Sequence, residues 1–402
     1  MDTTTCCIAG GGPAGIVLGL LLARAGVAVT VLEKHGDFLR DFRGDTVHPT
    51  TLELLDELGL GDRFERLPQN RLDEVLVPVG GGIQRVGDLA ALPGRYNYIA
   101  MVPQWDLLNL LANAAAEYPT FTLRMNTEAT GLLTDGGKVT GVEYRTHDGE
   151  VGRIRAHLTV ACDGRWSVLR RAARLPARQW PVPMDVWWFK IPRWEHEPKA
   201  MVPVISRPRP FIMIGRGDYW QCATIIPKGT DAELRRMPVS ELLAAPAAGP
   251  VPWLADRVHT LGSWEEVKLL DVRLDRLRRW HRDGLLCIGD AAHAMTPVGG
   301  VGINLAVQDA VAAARLLAGP LLRRAVTPAD LARVRRRRLP ATMLAQGLQR
   351  LLHDKALRPA LEGTGTTASG DPLPLRLLRR FPWLQRVPAY VVARGFRPER
   401  LH

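Results

Sequence analysis

Three glycines and an acid form the first spacing with chemical meaning, Gly10-x-Gly12-x-x-Gly15 and then Glu33 about 20 residues on. Gly10 permits a tight turn, Gly12 lets backbone N–H groups approach a pyrophosphate, and Gly15 lets a helix lie close against a strand. Pro13 and Ala14 open a helix whose N-terminus favours phosphate charge, and Glu33 can accept hydrogen bonds from a ribose diol. An acid at that position argues against a 2′-phosphate and leaves NAD or FAD. A second constellation lies far downstream, where Gly289-Asp290 precedes Pro297, Gly299, Gly302, Ile303 and Asn304. There Asp290 can accept from a ribityl or ribose hydroxyl, or simply cap the next turn. His293 can be a satisfied loop histidine.

These residues need elements to hold them. The apolar pattern predicts a strand over Thr4 to Ala9, a helix over Pro13 to Ala25 and a strand over Val27 to Leu32, a βαβ unit with a right-handed crossover. Helices are expected over Thr50 to Leu58 and Gln104 to Glu117. A hairpin and return strand are expected over Glu128 to Thr134, Lys138 to Arg145 and Ile154 to Cys162. Between Pro181 and Val272 the β-branched and aromatic runs predict an antiparallel sheet with helical cover over Leu242 to Val258. Leu285 to Ile288 then reads as a buried strand and Val301 to Leu317 as a helix, after which the chain is helical, basic and broken by proline.

Leu286-Cys287-Ile288-Gly289-Asp290-Ala291-Ala292-His293-Ala294-Met295-Thr296-Pro297-Val298-Gly299-Gly300-Val301-Gly302-Ile303-Asn304 resembles the second FAD fingerprint of the class A flavoprotein monooxygenases, the family of the para-hydroxybenzoate hydroxylase fold. Ala161-Cys162-Asp163-Gly164-Arg165-Trp166-Ser167-Val168-Leu169-Arg170 is similar to that family's Asp-Gly motif, Arg43-Gly44 to its flavin-side arginine segment, and Gln104 to the residue that opens its helix. The motifs occur in the family's order over about residues 1–350. The resemblance implies an α/β fold: a Rossmann-like FAD domain of the glutathione reductase type, an inserted antiparallel sheet domain for substrate, and a C-terminal helical segment. The expected division is 1–75, 97–180 and 275–340 for FAD, 76–96 and 181–274 for substrate, and 341–402 for the tail.

Within that frame, the N–H groups of Val301, Gly302 and Ile303 would face the pyrimidine edge of the flavin at a positive helix end, with Asn304 pinning the loop. Asp163 is expected to support the FAD site and the nicotinamide groove, Arg170 to cap a local turn or pair with Asp163, and Arg43 to lie near the flavin pyrophosphate. The resemblance further implies non-covalent FAD, its reduction by NAD(P)H, a C4a-hydroperoxide formed with O2, and oxygen transfer to an electron-rich aromatic or polycyclic small molecule. His48 could relay a proton. Trp188 and Trp220 are candidates for substrate contact or for core. No match is found to the tyrosine pair that activates a phenol in the best-understood family member, which favours a larger apolar substrate. Reduction of isolated double bonds, as in the geranylgeranyl reductase branch, and a non-redox binding or cyclase scaffold remain as other readings.

Composition narrows the remaining classes. The chain has 402 residues, 46% of them hydrophobic and 23% charged, with a net charge of +12. These are the proportions of a globular protein able to bury more than one core, and disorder and coiled coil are excluded. Cys6, Cys7, Cys162, Cys222 and Cys287 form no C-x-x-C pair and have no clustered His, so they read as core residues and no metal is expected. The positive charge alone would suit nucleic acid, but no aromatic-interleaved basic groove or reader motif accompanies it. The apolar run Ile16 to Leu32 is interrupted by Arg24 and Gly26, so a cytoplasmic monomer or homodimer is expected, without stable membrane insertion. In the tail, Arg335-Arg336-Arg337-Arg338 and Leu375 to Arg397 read as helices covering the FAD domain, with membrane-surface docking as the alternative. Arg43-Gly44-Asp45 and Arg216-Gly217-Asp218 read as turns rather than adhesion tripeptides.

Overall fold

The strand Asp2–Ala9 is the axis of the larger sheet, parallel to Val151–Ala161 on one side and to Val29–Leu32 on the other. Its last four residues are fully buried, because helices cover both faces of a parallel sheet and leave the strands no polar side. This computed structural model describes every residue except 39–45, 80–81, 198–200, 205–210, 249–250, 258, 362–379 and 402.

Outward from that axis, Phe121–Arg124 extends the sheet beyond Val29–Leu32, and Leu285–Cys287 extends it beyond Val151–Ala161. Val151–Ala161 serves two partners along one edge. Its first half pairs antiparallel with Lys138–Thr146, and its last residues pair parallel with Leu285–Cys287. The helix Pro13–Arg24, buried from Ala14 to Ala23, crosses from the first strand to the second and packs against the helix Gly302–Leu322. The latter is the one helix among the described residues long and apolar enough to cross a membrane, but 67% of its apolar window is buried as core.

The inserted sheet has five strands in the order Met201–Val204, Phe211–Arg216, Tyr219–Pro227, Met184–Pro192 and Lys268–Leu270, all antiparallel. One face, carrying Trp187, Phe189, Phe211, Met213, Trp220 and Cys222, packs under Leu242, Leu243, Val251 and Leu254 of the helical cover. The opposite face, with Val186, Trp188, Ala223 and Ile225, joins a cluster that includes Val298. The chain leaves and re-enters the larger domain through a two-stranded ribbon, Ala177–Trp180 against Leu274–Leu277.

Three expectations need correction. The boundary at 340/341 falls inside one helix, Pro328–Leu352, whose capping box at Thr327 and Asp330 starts a helix that runs through Pro340. Likewise Gly302–Leu322 continues past Leu317 through Pro320. Segment 76–96 does not pair with the five-stranded sheet: Glu74–Val79 and Gly82–Asp88 form their own ribbon, and Leu89 and Leu92 pack against Ala389 and Ala393 of the helix Arg386–Arg394.

Candidate active site

The sheet register places the ends of its central strands side by side, since Ala9 pairs with Leu32 and Ala161, and Ala161 with Cys287. Every glycine-rich motif begins immediately after one of those ends, at the carboxyl edge where parallel sheets bind ligands. The motifs touch. Gly10 has φ +104°, and a Cβ there would lie 2.4 Å from the Cys162 carbonyl oxygen and 3.0 Å from the Asp163 nitrogen. At Gly15 a Cβ would fall 1.9 Å from the Gly10 oxygen, and at Gly289 one would lie 3.2 Å from the Ala14 side chain. Residues separated by some 275 positions thus form one wall.

This wall fits FAD. Gly12 caps Pro13–Arg24 without a side-chain bond, and a Cβ on it would meet nothing within 4 Å, so the helix N-terminus opens toward free space a phosphate can fill. Glu33 is buried at the strand end and accepts from the Gly11 N–H at 2.8 Å and the His35 N–H at 3.0 Å. Asp163 accepts from the Leu169 N–H at 3.1 Å through one oxygen, while its other oxygen is a buried acceptor with no partner. Burial raises its carboxyl above the usual range even against the bonds it receives, so a hydroxyl donor would be welcome there. Asp290 is partly exposed and reached by Arg165 Nη2 at 3.4 Å.

Beyond Asp290 the loop turns at Gly299 and Gly300, both with positive φ (+83° and +63°), and Thr46 Oγ1 donates to the Gly300 carbonyl at 2.8 Å. Gly302–Leu322 then begins with no side-chain cap, leaving the first N–H groups, Gly302 and Ile303 among them, for a ligand. Asn304 is buried and accepts from Thr50 Oγ1 at 2.7 Å and Thr51 Oγ1 at 3.2 Å, which pins this helix to Pro49–Glu57. Gln104 opens Gln104–Ala116. Arg43 lies outside the described residues, as does its tripeptide.

Other site expectations change. Arg170 does not pair with Asp163; it donates to the Arg165 carbonyl at 2.9 Å and forms a buried ion pair with Asp275 at 3.1 Å. His48 is buried between two carbonyl oxygens, with Val392 O 2.8 Å from Nδ1 and Gly300 O 3.1 Å from Nε2. Burial lowers its pKa, with the carbonyls of Gly300, Val392 and Ala393 opposing. A ring whose two nitrogens both face carbonyls has no path to pass a proton to substrate; it holds the loop. Trp220 is likewise fully buried under the helical cover, its Nε1 donating to Glu197 at 2.8 Å, so it is core. Trp188 lies on the opposite face, which meets the loop, and its Nε1 is a buried donor with no partner. Arg216, read as a turn residue, is buried and donates to the Met101 carbonyl at 2.8 Å and to Gln221 Oε1 at 3.2 Å, tying the sheet to the larger domain.

The family model described as an FAD binding domain matches residues 2–346. The chain belongs to the class A FAD-dependent monooxygenases. It is 37% identical over 355 residues to the 6-methylpretetramide 4-monooxygenase of Streptomyces rimosus, covering 86% of this chain and 82% of that one. It is 28% identical over 327 residues to the dialkyldecalin synthase of Streptomyces rugosporus, covering 76% of this chain but less than two thirds, 63%, of the synthase. The fold matches the anhydrotetracycline hydroxylase OxyS of Streptomyces rimosus with a TM-score of 0.73 at 23% identity, over 97% of this chain and 76% of that one.

In this monooxygenase the FAD wall is braced from behind by residues the motif reading passed over. Asp309, fully buried, accepts from the Gly289 N–H at 3.1 Å and faces His293 Nε2 at 2.5 Å through one oxygen, and accepts from Arg338 Nε at 3.0 Å through the other. Burial pushes its carboxyl up, but His293 and Arg338 outweigh that and hold it below the usual value. Arg338 continues to Glu399, which also pairs with Arg337 at 2.7 Å. The sequence carried one signal for this: Asp309 is a lone acid in the apolar run from Leu305 to Ala314.

Proposed function

We propose that this enzyme uses FAD, NAD(P)H and O2 to hydroxylate a polycyclic aromatic molecule of the kind named for its tetracycline-type relatives. The supporting observation is that Val298 of the flavin loop and Trp188 of the inserted sheet share one apolar cluster, so cofactor and an aromatic sheet face bound the same space. Bound here, FAD would supply the redox chemistry, acceptance of a hydride from the nicotinamide donor and transfer of two electrons to O2, with one oxygen atom going to substrate and the other to water. The chain's own work is binding, orientation and exclusion of water. Glu33, Asp163 and Asp290 accept from cofactor hydroxyls, the loop N–H groups at Gly302 and Ile303 present a positive helix end, and His48 holds the loop through Gly300. The inserted sheet is the substrate platform, where Trp188 offers a ring face for stacking and an indole N–H for a substrate oxygen.

The test is a flavin spectrum of the purified protein, followed by NADH and NADPH oxidation with O2 uptake in the presence of tetracyclic phenols, with product analysed for ¹⁸O from ¹⁸O2. Label in the product supports hydroxylation. A product isomeric with its substrate, formed without O2 uptake, would favour a ring-forming activity, the reading suggested by the likeness to the dialkyldecalin synthase.

A further inference from the structure

The ribbon that joins the two domains carries an arginine directly opposite an arginine, Arg178 against Arg276. Like charges placed so are destabilising unless something neutralises them. Among the described residues no acid does. Arg335 from the helix Pro328–Leu352 adds a third positive charge and Arg350 a fourth, and together with burial they depress the Arg276 guanidinium below its ordinary value. Among the described residues none of these arginines is ion-paired; the nearest acid in sequence, Asp275, is already engaged by Arg170. Arg276 has only the neutral Gln346 Oε1, at 3.0 Å.

The cluster is built around an aromatic ring. The guanidinium carbons of Arg276, Arg178 and Arg350 lie 5.1, 5.2 and 5.5 Å from the centroid of Trp180. Two donors there are buried without a partner, Trp180 Nε1 and Arg335 Nε. On its inner side Trp180 packs against the cluster of Leu274, Met295 and Leu305, against which Val301, the residue that caps the flavin-loop helix, also packs. The arginine cluster and the cofactor loop therefore share one apolar core.

We propose that this arginine cluster is a binding site for a phosphate-bearing anion, and that its occupant is the phosphate end of the reduced nicotinamide dinucleotide. The assignment of the occupant rests on the proposed oxygenase activity. The chain's Gly-rich fingerprint at Gly10 to Gly15 is taken by FAD, so a second dinucleotide needs its phosphates held by side chains, and guanidinium forks suit phosphate oxygens. Arg276, Arg335 and Trp180 are half-buried and Arg178 and Arg350 exposed, so the charges stand within reach of a soluble anion.

The experiment is calorimetric titration of the FAD-loaded enzyme with 2′,5′-ADP, 5′-ADP and phosphatidylglycerol vesicles, on wild type and on R178Q/R276Q. The expected result is binding of at least one ADP, weakened about tenfold or more by the double substitution. The nicotinamide KM should rise by a similar factor, more than any change in kcat, with unaltered KM for the aromatic substrate. Because the substitutions remove repulsion, the ligand-free variant should melt at or above the wild-type temperature, and inorganic phosphate should raise the melting temperature of wild type only. Failure of both ADPs to bind wild type, equal binding by the variant, or binding of vesicles alone overturns the proposal. If nicotinamide bleaches the flavin with an unchanged KM in the variant, the site falls and the oxygenase activity stands. If the ADPs bind through these arginines while no nicotinamide bleaches the flavin, the phosphate site is upheld and the activity falls.

Discussion

Asp309→Asn is the most informative single change in the cofactor domain, because one carboxylate serves three donors from different parts of the chain. Its two oxygens face opposite ways, one to the Gly289 N–H and His293, the other to Arg338. An asparagine can accept on only one side, and its NH2 must confront either Arg338 or the Gly289 and His293 pair. Arg338 is 1% exposed and would keep Glu399 and the Arg397 carbonyl but lose the acceptor of its Nε, so the loss is that of a broken buried pair, about 3–5 kcal/mol. Unfolding entropy near 2.1 cal/mol/K per residue makes that a fall of about 4–6 °C in melting temperature for a chain of this length. Differential scanning with and without FAD reads a second consequence. A loosened Gly289 turn presents Asp290 less well, so the temperature gap between FAD-loaded and FAD-free protein should shrink as well. Glu399→Gln weakens Arg338 from the other side but leaves the Gly289 N–H its acceptor, so it should lower stability and narrow the gap less than Asp309→Asn does. The pH dependence has a fixed sign. The folded carboxyl lies below its unfolded value, so its stabilisation is complete above the ordinary carboxylate range and is lost as pH falls through the folded pKa. A variant that melts within 1 °C of wild type, or that loses stability with an unchanged FAD gap, would refute the reasoning.

Three further outcomes are expected. Asp290→Ala should weaken FAD binding about tenfold or more while leaving FAD-free stability nearly intact, since Asp290 is partly exposed and bonded only weakly to Arg165; fluorescence titration of the apoprotein measures both. Trp188→Ala should raise the KM for an aromatic substrate, whereas Trp220→Phe, which removes one donor from the buried Glu197 while Arg257 still holds it, should cost about 1–3 kcal/mol of stability and leave KM alone; the reverse pattern would exchange the two assignments. Because burial lowers the His48 pKa, the unfolded chain binds a proton that the fold does not, so stability drops as pH falls below about 6.5, by at most about 1.4 kcal/mol per pH unit for this one site. In His48→Asn, chemical denaturation across pH 5–7 should show that slope reduced by up to one proton.

The cofactor side of this enzyme was legible in its sequence because glycine reports backbone geometry locally. Gly10 has a positive φ and a Cβ at Gly15 would collide with the Gly10 carbonyl, so those positions announce their turn from local backbone alone, while the contact of Gly10 with Cys162 comes from the fold. The substrate side was not. Strand alternation correctly grouped Trp220 with Cys222, but periodicity says only which residues share a face, not which face meets the cofactor; the helical cover over Leu242 to Leu254 decided that. His48 was misread for a related reason, since its partners lie 252 and 344 residues away. Prolines misled in the other direction. Pro320 and Pro340 should break helices, yet both lie inside one, where tertiary packing overrides the local cost.

The match to the FAD binding family ends at residue 346, but the cofactor loop does not end there as a mechanical unit. His48 hangs between the Gly300 carbonyl and that of Val392, so the loop and the C-terminal helix share one imidazole. Arg338 donates to the Arg397 carbonyl, the Glu399 N–H donates to Gln308, and Asp309 on the next residue holds Gly289. The first turns of Gly302–Leu322 thus open on the candidate FAD loop at one end and are bolted to the last residues of the chain along one side. Neutral glycine geometry makes the phosphate cradle, which any chain with the motif can form. Charges drawn from the tail fix where the flavin loop stands relative to it, and in a buried setting such charges work only as a complete set, since each one left unpaired costs more than the set gains. The described tail residues are accordingly tied to the candidate FAD loop, although none of them belongs to a fingerprint.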